Sequence, residues 1–130
     1  MSYRIEFGDG PFEVVVTLQG RTGWEELADI DPAVIADPRF RDGVNVLYDY
    51  SALEPTGAGG GDEVRAMAMR DGSSEALERV GRIAVVAPHD AVFGISRMWL
   101  TFLDERVASR ATVVRARADA YDWLAAQPRD

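Results

Sequence analysis

The 130-residue chain has no cysteine, no lysine and only one histidine, His89. The first absence removes disulfides, zinc–thiolate centres and cysteine nucleophiles together. With a single imidazole, a metal centre would have to be built mostly from carboxylates. The nearest clustering, Asp29 with Asp31, reads as a solvated turn, so neither a metal nor another cofactor is expected. All 14 basic residues are arginine, against 22 acidic ones, for a net charge of −8. Arginine without lysine, together with many alanines, reads as the coding bias of a GC-rich, bacterial genome. The acidic balance disfavours nucleic acid and anionic membranes as partners. Long hydrophobic runs are also missing, so no membrane span is expected. The opening MSYRIEFGDG lacks a basic flank followed by an apolar run, which argues against a signal peptide and makes the cytoplasm the expected compartment.

What is present suits one domain over residues 1–130, with 47% hydrophobic residues to fill a core. YRIEF (3–7) alternates and reads as a strand, GDGP as a tight turn, and FEVVVTLQG (12–20) as the second strand of a hairpin. Thr22 and Glu25 have capping-box spacing, which predicts a helix starting there. Pro32 and Pro38 divide DIDPAVIADPRF into short helical turns. VNVLYDY (44–50) is a third strand, followed by the glycine-rich stretch to Gly61 and a helix from Asp62. DGSS interrupts that helix and SEALERV adds a turn. RIAVVAP (82–88) is the clearest buried strand, with Ile83, Val85 and Val86 expected to be inaccessible. HDAVFGISRMWLTFLDERV reads as one long helix from Asp90. ATVVRA (111–116) is a short strand, and ADAYDWLAAQ a final helix ended by Pro128. The order ββαβαβαβα implies a mixed β-sheet flanked by helices.

Catalytic constellations do not assemble from these residues. GAGGGDE lacks the Lys-Ser/Thr of a P-loop and the spacing of a dinucleotide fingerprint. Ser96 falls within a helix rather than on the strained turn that G-x-S-x-G requires, and His89–Asp90 reads as a helix cap. Paired acids such as Glu25–Glu26 and Asp104–Glu105 are neighbours on helices and do not face each other. The chain is therefore expected not to be an enzyme.

The apolar excess is more informative. On the long helix Val92, Ile95, Trp99, Phe102, Leu103 and Val107 make a core face, which Phe93, Met98 and Leu100 widen beyond what one sheet contact needs. Met67 and Met69 sit on opposite sides of the preceding helix. Phe93, Met98, Trp99 and Met67 are accordingly candidates for a ligand groove or an interface, beside the plainer role of filling the core. Arg97 reads as a surface residue.

The element order, the segment RIAVVAPHDAVFGISRMW and the closing DAYDWLAA resemble the SpoIIAA-like family within the STAS superfamily. The residues that carry the resemblance are Arg82–Pro88, Phe93–Met98 and Ala120–Leu124, and it extends from about Tyr3 to Gln127. It implies a SpoIIAA-like (STAS-like) α/β fold and a non-enzymatic regulatory or protein-interaction module. Anti-anti-sigma relatives carry a motif like D-x-S-x-x-D-S-S-G-x-G, and DYSALEPTGAG matches it at Asp49, Ser51, Gly57 and Gly59. Glu54 stands for the second acid, and Pro55 occupies the phospho-acceptor position. Thr56 matches only the neighbouring hydroxyl and is the candidate switch or phosphorylation residue, against the plainer reading that it shapes a turn. The expected partner is a protein or a second copy of the chain. The alternative is a small apolar or lipid-like ligand held between the long helix and its neighbours.

Overall fold

A computed structural model describes residues 2–55 and 60–128; Thr56, Gly57 and Gly59 lie outside the described residues. Strands β1 (Ser2–Phe7) and β2 (Val14–Thr22) form the expected antiparallel hairpin, with Phe7 opposite Val14. Strands β3 (Val46–Pro55), β4 (Ile83–Val86) and β5 (Ala111–Val114) then add in parallel, so the sheet order is the chain order, β1-β2-β3-β4-β5. Between the strands run a 3-10 segment (Trp24–Asp29) leading into α1 (Ile30–Ala36), then α2 (Gly61–Gly72) with α3 (Glu75–Arg79), and α4 (Asp90–Phe102) with α5 (Glu105–Ala108). Helix α6 (Arg117–Ala125) closes the described chain. This is the mixed α/β sheet the sequence implied.

A sheet that grows in one direction through parallel strands has a physical consequence. Crossovers of the favoured right hand all fall on the same face. The core follows that rule. Val14, Val16, Val46, Tyr48, Ile83, Val85 and Val113 share one face with Ile30 and Val34 of α1, Leu77 of α3, Val92 of α4 and Val107 of α5. The opposite face presents Leu47, Ala84 and Val86, which pack with Ala120, Trp123 and Leu124 of α6. All four residues of β4 are buried, as an apolar run covered on both faces requires.

Strand β3 carries an irregularity that matters for the site. Thr17 pairs with Asp49, but Gln19 pairs with Ala52, so β3 spends one extra residue at Tyr50–Ser51. Such a bulge shifts side-chain parity. Tyr48 and Tyr50 therefore face the helical core, and Leu53 rejoins them there. Without the extra residue, Leu53 would point away.

Four local expectations are corrected. Thr22 and Glu25 form no capping box. Thr22 is the last residue of β2, Gly23 stands at the cap without a side-chain bond, and the Thr22 hydroxyl donates to Glu26 at 2.6 Å. The extended conformation of the strand holds Thr22 back from the helix. The stretch after Tyr50 is not yet loop, because Ser51–Pro55 continues β3 against Gln19–Thr22. The long helix breaks at Leu103, where the Asp104 carboxylate accepts from the Arg106 N–H at 2.9 Å and starts α5. Asp31 is not a solvated turn residue; its place is described below.

Candidate functional site

Helices α2 and α4 lie side by side over β3 and β4, and a cavity of about 50 Å³ remains between the two layers. Its apolar wall includes Leu27, Ile30, Met67, Leu77, Ile83 and Val85. Its polar wall is Asp31 at the first turn of α1, Tyr48 and Tyr50 from β3, Arg70 and Asp71 from α2, and Ser96 and Trp99 from α4. Each polar group is placed by periodicity. Residues two apart in β3 face the same side. On α4, Val92, Ser96 and Trp99 follow the spacing of a buried helical stripe.

The polar groups are not equally satisfied. Asp71 has a partner on each oxygen: Arg70 reaches Oδ1 at 3.1 Å and the Trp99 indole N–H donates to Oδ2 at 2.8 Å. Asp31 accepts a short hydrogen bond from the Tyr48 hydroxyl on Oδ1, and its second oxygen has no donor among the described residues. Ser96 is only 5% exposed, and its hydroxyl has no partner among the described residues. The Tyr50 hydroxyl likewise finds none. Buried polar groups are ordinarily bonded, so the buried Ser96 hydroxyl asks for an occupant, with the half-buried Asp31 and Tyr50 beside it.

Electrostatics follow from the same arrangement. Burial pushes the Asp31 carboxyl up to about 6; the Asp71 charge adds to the rise, while the Tyr48 hydrogen bond and Arg70 oppose it. Burial also raises the Tyr48 and Tyr50 phenols, with Asp31 contributing to both. Both phenols therefore remain protonated donors at neutral pH.

A second polar cluster lies beside the C-terminal ends of β4 and β5, where Asp49 in β3 pairs with Val86. Asp49 accepts from the Ser51 N–H at 2.9 Å and the Ser51 hydroxyl at 2.5 Å on one oxygen, and from Arg117 at 2.8 Å on the other. Burial pushes this carboxyl up, but the Ser51 and Arg117 hydrogen bonds outweigh it and hold it below its ordinary value. His89 contacts the Ser51 carbonyl at 3.0 Å through Nε2, and Arg115 pairs with Asp90. Ser96 is seven residues along α4 from His89, roughly 10 Å of helix rise, and no bond joins them.

Of the four candidate apolar residues, Trp99 and Met67 line the cavity. Phe93 lies elsewhere, half-buried beneath the Arg115 guanidinium at 4.1 Å, and Met98 is half-buried outside the cavity lining. Met69, on the far side of α2 from Met67, is 68% exposed. Thr56 lies outside the described residues. Asp31, Tyr48, Asp71 and Ser96 were not singled out from the sequence as site residues. Two tyrosines at alternate positions of an inward strand were a usable signal, because a buried phenol needs a partner.

No family model matches the chain, and no curated protein matches it in sequence. Among solved structures, an uncharacterized protein of the DUF3478 family with a SpoIIAA-like fold, from Shewanella loihica PV-4, is similar at 15% identity over 95% of this chain and 92% of that one, with a TM-score of 0.54. The anti-sigma factor antagonist SpoIIAA in its unphosphorylated form matches at 16% identity over 98% and 100% of the two chains, with a TM-score of 0.46.

Proposed function

Taking the SpoIIAA-like fold as premise, we propose that this chain is a non-enzymatic binding module whose working part is the chamber between α2, α4 and the sheet. One observation carries the reading. The Ser96 hydroxyl is buried, bonded to nothing among the described residues, and faces a cavity that also holds an incompletely bonded carboxylate. Folding gains nothing from such a group. A ligand that bonds to it would. The cavity volume also limits the occupant. At roughly 10–15 Å³ for each water-sized group, about 50 Å³ holds three to five such groups, so a lipid chain needs α2 and α4 to separate.

The test is native mass spectrometry of the purified chain, paired with Ser96→Leu, which fills the chamber. A small molecule retained by the wild type and lost in Ser96→Leu supports the reading. Equal retention by both places the ligand elsewhere.

A protein-interaction role is the second reading, and the rim at the strand ends favours it. There Ser51 of β3, His89 and Asp90 after β4, and Arg115 after β5 are exposed, with His89 bonded to Ser51 and Arg115 to Asp90. Thr56 follows β3 directly in sequence. Thr56→Glu and Thr56→Ala that differ in partner binding at equal melting temperature would support this role. Ester or phosphoester turnover abolished by His89→Ala would overturn the non-enzymatic reading.

A further inference from the structure

We propose that the chamber selects a small organic cation, a primary ammonium on a short apolar body. The proposal rests on the chamber being a ligand site and adds the chemistry of what enters it. The charges on its wall do not balance. Among the described residues Arg70 is the only cation there, and it pairs with Asp71, whose other oxygen takes the Trp99 indole N–H. Among the described residues Asp31 has one phenolic hydrogen bond and no direct ion pair, with Arg70 acting on its charge only from a distance. The remaining groups without a partner among the described residues are the Ser96 and Tyr50 hydroxyls, which can accept hydrogen bonds as well as donate them. An ammonium offers three donors and one positive charge, matching one free carboxylate oxygen and two hydroxyls. A metal ion fits poorly, because among the described residues the wall offers only two carboxylates, Asp31 and Asp71, the second already paired with Arg70, and hard cations take six or more oxygen ligands. An anion would meet an uncompensated carboxylate. The apolar wall of Leu77, Ile83 and Val85 leaves room for a body of only a few carbons.

The protonation of Asp31 supports this further. The titratable and charged groups facing it are Tyr48 and Tyr50 from β3 and Arg70 and Asp71 from α2. Ammonium binding should therefore weaken as the pH falls through about 6, where Asp31 takes up its proton.

The experiment is an NMR titration of the full chain at pH 7.5 and constant ionic strength, following the Trp99 indole N–H and the Ser96 amide. The probes are n-propylammonium chloride, which has four non-hydrogen atoms, and its neutral counterpart 1-propanol. A ligand of that size binds no tighter than about tens of micromolar. Propylammonium is expected to saturate at roughly tenfold lower concentration than propanol, as a charge-assisted hydrogen bond implies. That preference should disappear in Asp31→Asn and at pH 5 in the wild type. The wild-type pH arm decides the matter if Asp31→Asn does not fold. Propanol binding as well as propylammonium would overturn the cation inference and leave the chamber as a ligand site. A preference that persists in Asp31→Asn and at pH 5 would also overturn it. Shifts from neither probe, with water as sole occupant, would overturn both the inference and the chamber reading.

Discussion

Asp31 gives the chain a pH dependence of unusual sign. Its folded-state value of about 6 stands above the ordinary 3.8, so between those values the folded chain holds more protons than the unfolded one. Stability from this group is greatest in acid and falls as the pH rises from about 4 to about 6. The size is on the order of 2 kcal/mol, discounting the full shift because Asp31 keeps some solvent contact. Asp49 runs the other way: its lowered value contributes stability above the ordinary carboxylate range that is lost in acid. Comparing Asp31→Asn with the wild type isolates the first effect. In urea titrations the variant should gain stability at pH 7 relative to the wild type, and the gain should shrink towards pH 4. A constant difference across that range would mean that Asp31 is not ionising in a desolvated site. Ser96→Ala addresses the other unsatisfied group. It removes a hydroxyl with no partner, so it should be neutral or stabilising by up to about 1 kcal/mol. A loss larger than that would show that the hydroxyl has a bond within the fold.

At the scale of elements, close approach decides what a position tolerates. Gly81 leads into β4, where its N–H donates to the Val44 carbonyl at 2.7 Å and an added Cβ would lie 2.5 Å from the Gly43 carbonyl oxygen. Gly43 itself has φ of +90°. Backbone must move to admit a methyl, so Gly81→Ala should cost roughly 1–3 kcal/mol, read from the denaturation midpoint. An unchanged midpoint would refute that contact. The elements were largely legible because apolar periodicity and proline set them: Pro88 follows the buried β4, Pro32 sits in the first turn of α1 and Pro38 lies just past its end. The failures share a cause. Thr22, the bulge at Tyr50–Ser51 and the break at Leu103 are each decided by pairing or packing with distant residues. A local window records none of that. The site was less legible still. The apolar stripe on α4 was recognised, yet Ser96 lines the cavity between Ile95 and Trp99, and an apolar pattern passes over it. Asp31 looked like any turn carboxylate until Tyr48, 17 residues on, closed over it.

For the whole molecule, the two faces of the sheet are unequal. Five helices cover one and α6 covers the other. Amides of β4, buried on both sides and bonded to two neighbours, should exchange most slowly with solvent. Those of β1, an edge strand bearing the exposed Arg4–Glu6 pair, should exchange fastest among the strands. Protection in β1 equal to that in β4 would mean that the edge is covered in solution. The charged side chains on that edge also discourage strand-to-strand association there.

The strand order has a consequence in time. Every strand pairs with the strand made just before it, so during synthesis each arrives to a template already waiting and closes only a modest loop. The exception is the cover of the second face. Leu47, Ala84 and Val86 are placed before α6 leaves the ribosome, and until it docks they present an oily strip to the surroundings. The growing chain is thus most prone to aggregation in the interval when the sheet is complete and α6 has not yet docked.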